Sequence, residues 1–122
     1  MNHTDSSYTR VATFVSGNPA IMDLSFDRDT GYLWAATDNG FNGTTNVLAI
    51  DTGVGSATKG KFIIKQGFQR PSTMGNFNNE GFTVTPESTC NLGFKSVFYS
   101  DDANDASHAL RRDSIPCGMF LN

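Results

Sequence analysis

Histidine occurs only twice in the 122 residues, tryptophan once and cysteine twice, and nine basic side chains stand against twelve acidic ones. Each shortage closes a class of function. A net charge of -3 leaves no basic face for a phosphate backbone, so nucleic acid is excluded as a partner. No stretch approaches the roughly 20 consecutive apolar residues that a membrane helix requires, so no membrane span is expected. Cys90 and Cys117 fit neither a zinc pair nor a CxxC redox motif. The imidazoles are His3, in a polar N-terminal stretch, and His108. Ser107, beside His108, would point to the opposite face of a strand, away from triad geometry. No Gly-x-Ser-x-Gly elbow is present, and the run Asn39-Gly40-Phe41-Asn42-Gly43 lacks the Lys-Ser/Thr of a phosphate-binding loop.

Helix formers are thin as well. Leucine is sparse, whereas phenylalanine occurs ten times and glycine twelve, alongside much Thr, Val and Asn. These are the residues of strands and turns. Short strands are predicted at Arg10-Val15, Ile21-Phe26, Tyr32-Thr37, Val47-Asp51, Phe62-Lys65, Gly81-Thr85, Phe94-Ser100 and His108-Ile115. Between them lie Gly/Asn/Asp/Ser turns, Asp27-Gly31 among them, and a polar crossing from Gln66 to Asn79. Met22, Leu24 and Phe26 fall on one side of their strand. No amphipathic helix of convincing length is visible.

An internal likeness narrows the choice among sandwich, barrel and propeller. Met22-Asn39 can be laid on a second copy running from Asn79 through Asp102, with Asp23 and Glu80 as equivalent leads. Each copy reads acidic residue, alternating strand, polar turn, apolar strand, then Ser/Thr-Asp. The predicted fold is all-β, an antiparallel partial β-propeller of about two four-stranded blades. Residues 1-9 form a flexible N-terminal segment and 10-122 one domain, with blade one at about 20-66 and blade two at about 79-117. After Ile115 too little chain remains for an outermost strand of blade two, and Arg10-Val15 has no blade of its own. Closed propellers use 4-8 blades, so the chain is expected to complete a ring with further copies of itself or within a longer polypeptide.

The opening Asn79-Glu80-Gly81-Phe82, the turn Asp27-Arg28-Asp29-Thr30-Gly31 and the cluster Ser100-Asp101-Asp102 resemble blades of the phytase-like ("esterase-like activity of phytase") β-propeller family. The tail, with His108-Ala109-Leu110-Arg111-Arg112 and Ile115-Pro116-Cys117, is similar to the C-terminal ends of secreted members. The first copy departs from that plan, carrying Met22-Asp23-Leu24 where Glu-Gly is expected. The resemblance implies a secreted module, with calcium and calcium-dependent phosphoester or ester hydrolysis as the enzymatic alternative. Two blades do not supply a complete catalytic set, so ligand binding or assembly is the first expectation.

Candidate metal ligands are Asp23, Glu80, Asp38, Asp101 and Asp102. Carboxylates at strand ends offer hard oxygen donors to calcium, and the alternative for each is capping of a turn. Candidate ligand-binding residues for a small or phosphorylated molecule are His108, Arg111 and Arg112. Alternation places Arg111 and Arg112 on opposite faces, so one is available to an anion and the other is expected to pair with Asp101, Asp102 or Asp113. Cys90 and Cys117 are read as a disulfide, which would place the protein outside the cell or at its surface; a pair of buried thiols is the alternative. The Asn2 and Asn42 sequons are compatible with secretion. The polar N-terminus lacks a signal-peptide layout, as expected of a processed chain or of part of a longer polypeptide.

Overall fold

Phenylalanine, β-branched residues and frequent turn residues build an antiparallel structure in two sheets. A computed structural model describes residues 20-41, 43-70, 72, 75, 79-102, 107 and 109-118. The first sheet is a meander of β1 (Ile21–Asp27), β2 (Tyr32–Thr37), β3 (Thr45–Ile50) and β4 (Phe62–Phe68), in that spatial order. The second is a three-stranded meander of β5 (Asn79–Val84), β6 (Phe94–Asp101) and β7 (Leu110–Pro116). Two single-turn 3-10 helices lie at Asn39–Phe41 and Glu87–Thr89. Among the described residues the second sheet thus has three strands rather than four. The expected Arg10-Val15 strand lies outside the described residues.

The two halves repeat a detail as well as a pattern. Met22 interrupts the β1–β2 register between Ile21 and Asp23, and Glu80 interrupts β5–β6 between Asn79 and Gly81. A bulge at the start of each opening strand re-aims the chain there. Aligned on these bulges, Met22 corresponds to Glu80, one residue away from the Asp23–Glu80 equivalence drawn from sequence.

The sheets bury one face of each against the other. Trp34, Ala36 and Val47 of the first sheet meet Phe82, Val84, Val97 and Tyr99 of the second, with Tyr32, Phe68 and Ile115 packed around them. Trp34 stacks on Phe68 and Phe82 at 6.0 and 6.3 Å, and Tyr99 stands edge-on to Phe82 at 5.2 Å. Such pairs add about 0.5–1.5 kcal/mol each beyond the area they bury. The apolar side of β1 is not the buried one: Leu24 and Phe26 are 52% and 58% exposed, while Ser25 and Asp27 are buried. The pattern is inverted because this strand borders the other sheet, and its polar side chains serve that sheet's backbone.

Turn chemistry closes the meander. At Asp27–Gly31 the Gly31 N–H donates to the Asp27 carbonyl at 2.8 Å, with Gly31 at φ 74°, the left-handed region that glycine enters without strain. The β3–β4 connection is organised by Asp51, whose carboxylate accepts the Gly53 N–H at 2.8 Å, the Thr58 hydroxyl at 2.6 Å and the Ser56 hydroxyl. Those hydroxyl and amide donors hold its pKa at about 2, below the ordinary 3.8. Cys90 and Cys117 form a disulfide with Cα atoms 6.0 Å apart, tying the chain after the Glu87–Thr89 turn to the end of β7.

Two outcomes follow from these closures. Because the folded pKa of Asp51 is depressed, its support of the loop is present above the ordinary carboxylate value and is lost as pH falls through about 2. A carbon-detected NMR titration should place the Asp51 midpoint there, and a midpoint near 3.8 contradicts the donor cage. Separately, Cys90→Ser should lower unfolding free energy by about 2–4 kcal/mol in urea melts, and non-reducing peptide mapping should recover Cys90 linked to Cys117.

Candidate functional site

Where the two sheets meet edge to edge, β1 and β5 run in the same direction. The Phe82 N–H donates to Asp23 Oδ2 at 2.7 Å, the Val84 N–H to Ser25 Oγ at 3.0 Å and the Ser88 N–H to Asp29 Oδ2 at 2.8 Å. Each of these bonds joins residues 59 positions apart, so two strands in parallel advance together along the seam. Alternation in an antiparallel pair turns every second backbone N–H of β5 away from β6. Side chains of β1 take up those outward groups where a neighbouring strand would otherwise do so. Gly81 belongs to this packing: a Cβ at that position would collide with the Ser100 hydroxyl and lie 3.8 Å from Asp23 Oδ2.

At one end of the seam lies a buried ion cluster. Lys95, on the inward face of β6, donates to Asp27 Oδ2 at 2.6 Å and to Glu87 Oε2 at 2.9 Å. The lysine and aspartate side chains are 3% and 0% exposed. Asp27 Oδ1 accepts the Asp29 N–H at 3.0 Å, and Glu87 Oε1 accepts the Gly118 N–H. Burial alone would raise the Asp27 pKa. The Lys95 hydrogen bond, the Asp29 amide and the Lys95 charge outweigh it, and the carboxyl sits below its ordinary value. The ammonium also lies 6.0 Å from the centre of the Trp34 ring. This cluster binds the β1–β2 turn, β6, the Glu87–Thr89 turn and the chain after β7 to one another.

The acidic candidates are not gathered into one group. Asp23 accepts the Leu24 N–H at 2.8 Å as well as that of Phe82, which makes it a cap for two strand edges. Glu80 is exposed at the β5 bulge. Asp38 accepts the Gly40 N–H at 2.9 Å and caps its own turn. Asp101 is ion-paired with Arg111, and Asp102 is exposed beyond the end of β6. Among the described residues no three His, Cys, Asp or Glu side chains come together in a way that could hold a metal. The donors Asp23 and Asp38 are already spent on backbone amides.

The two arginines diverge. Arg111 faces inward with Tyr99 and is paired with Asp101. Arg112 lies on the outer face of the second sheet, where its Nε donates to Ser96 Oγ at 3.0 Å. It lines a cleft of about 320 Å³ together with Thr85, Thr89, Asn91, Ser96 and Ser114. Phe94 and Lys95 complete the lining. The Thr85 and Thr89 hydroxyls donate to the Ser96 and Pro86 carbonyls, so the Arg112 guanidinium, the Ser96 and Ser114 hydroxyls and the Asn91 amide are the groups suited to an oxyanion. His108 lies outside the described residues. The Lys95–Asp27–Glu87 cluster was missed in the sequence reading; its signal was the run of polar Asp23, Ser25 and Asp27 at alternate positions opposite an apolar stripe.

The chain matches no family model, no curated protein and no solved structure. Among the described residues no helix is long and apolar enough to cross a membrane.

Removing one partner from the ion cluster strands a buried charge. Lys95→Met should therefore cost about 3–5 kcal/mol, whereas adding Asp27→Asn to it should cost less than the sum of the two single changes. A chemical-denaturation double-mutant cycle measures this, and additivity would show that the two groups do not act as a pair.

Proposed function

We propose that the chain is a section of a secreted, phytase-like β-propeller and that it binds a small anionic ligand in the Arg112 cleft. For the architecture, the support is the seam. Two antiparallel meanders open on parallel, adjacent strands, carry matching bulges and pack face to face, as successive blades about an axis do. In such a ring the half-exposed Leu24 and Phe26 would meet the sheet of a further repeat, supplied by another copy or by the same polypeptide. The Cys90–Cys117 disulfide supports an oxidising compartment.

For binding, the observation that carries the reading is the split between the arginines: Asp101 neutralises Arg111, whereas Arg112 lines a cleft of hydroxyl and amide donors. A phosphate or carboxylate there would meet the Arg112 guanidinium and the Ser96 and Ser114 hydroxyls. Hydrolysis would need a nucleophile or an activated water beside the anion, and among the described residues no carboxylate, histidine or thiol belongs to the cleft lining. Binding without turnover is the function this geometry favours.

Inorganic phosphate and glycerol 2-phosphate are the probes. Titration followed by amide NMR should give saturable shifts at Ser96, Arg112 and Ser114, with affinity reduced about tenfold or more in Arg112→Ala by loss of a charge-assisted hydrogen bond. Absence of saturable binding in folded protein would sink the ligand reading. Calcium-dependent release of p-nitrophenol from p-nitrophenyl phosphate, retained through purification, would replace it with the hydrolase.

A further inference from the structure

Between the sheets, lined by strands β2 to β7 and by none of β1, lies a cavity of about 100 Å³. It is on the opposite face of the second sheet from the Arg112 cleft, and only Ser114 is common to the two linings. Two of its lining side chains carry buried polar atoms that make no hydrogen bond: Trp34 Nε1, in a residue 4% exposed, and Thr45 Oγ1, in a residue 3% exposed. Burial pushes the Tyr99 phenol above its ordinary pKa against the opposing pull of the Thr45 hydroxyl beside it, so it stays protonated at neutral pH. Buried polar groups in folded proteins are as a rule paired, because the unfolded chain bonds each of them to water. An indole N–H has donor capacity only, so its missing partner must be an acceptor.

We propose that this cavity binds a small uncharged molecule with one hydrogen-bond acceptor, a ketone or alcohol, between Trp34 and Thr45. The size follows from volume: since a cavity of about 150 Å³ accommodates benzene, this one takes about four heavy atoms. Charge is selected against on both signs. The Asp113 carboxylate in the lining repels an anion, and a cation has no lone pair to offer the indole. Phe68, Phe82, Val97 and Ile115 supply the apolar walls for methyl groups. Gln69 and Ser114, both exposed, form the part of the lining open to solvent. The site is independent of the anion reading, since Arg112 takes no part in it.

Acetone is the probe, and the protein supplies its own reporter, because Trp34 is the sole tryptophan and gives one indole N–H cross-peak. Titration should move that peak downfield to saturation, with intermolecular NOEs from the acetone methyls to Phe68, Phe82 or Ile115. Thr45→Val should weaken binding about three- to tenfold, the range for one neutral hydrogen bond. Cyclopropane, without an acceptor, should leave the indole proton where it is. The proposal is overturned if the indole peak shows no saturable shift in the wild-type protein. It is equally overturned if a water–indole NOE persists unchanged throughout the titration, which assigns the cavity to resident water only. Since both readings use the wild-type chain, they decide the matter even where Thr45→Val fails to fold.

Discussion

A strand at the edge of a sheet turns half of its backbone N–H groups outward, and in this protein those of β5 find their acceptors on side chains. Asp23, Ser25 and Asp29, on and just beyond β1, receive the amides of Phe82, Val84 and Ser88. The first two require β1 to present oxygen atoms at alternate positions and on its buried side. That requirement explains why the strand is polar inside and apolar outside. It also fixes the relative direction and stagger of the sheets, and so the partners that meet in the core. Trp34 reaches Phe82 across this seam, and Phe82 meets Tyr99 as its cross-strand partner in the β5–β6 pair.

Charge and covalent chemistry close one end of the same seam. Lys95 is expensive to bury alone, and so are Asp27 and Glu87; together they satisfy one another while fastening four separate pieces of chain. Glu87 also holds the Gly118 amide, next to the disulfide that ties Cys90 to Cys117. The electrostatic and covalent ties therefore act on the same turn. Each limits the freedom the other would have to overcome, since the Glu87–Thr89 turn cannot leave Lys95 without moving the bonded cysteine. Lys95 also lines the Arg112 cleft, while its ammonium is held by Asp27 and Glu87.

Function follows from where polar groups remain uncommitted. Of the strand-end carboxylates read as calcium ligands, Asp23 and Asp38 accept backbone amides and Asp101 pairs with Arg111 through Oδ2. The indole N–H of Trp34 is a buried donor without a hydrogen-bond partner, and Arg112 lines the outer cleft. One place sets a guanidinium beside hydroxyl groups, and the other sets a single indole N–H in an apolar surround.

Residue types and their spacing determined much of this protein directly. An antiparallel all-β structure was legible from Phe, Thr and Val runs broken by Gly, Asn and Asp, because alternation and turn chemistry are local. The opposite facing of Arg111 and Arg112, the pairing of one of them with a nearby aspartate and the link between Cys90 and Cys117 were legible for related reasons. Alternation fixes the facing, and strands of a hairpin and cysteines in a turn-rich chain leave few partners. Tertiary structure alone decided that Ser25 and Asp27 turn inward, that the equivalence of the halves runs through Met22 and Glu80, and that Lys95 is buried between Asp27 and Glu87. Those facts depend on contacts between sheets far apart along the chain, where the cost of an unpaired amide or charge outweighs the local preference to bury Leu24 and Phe26.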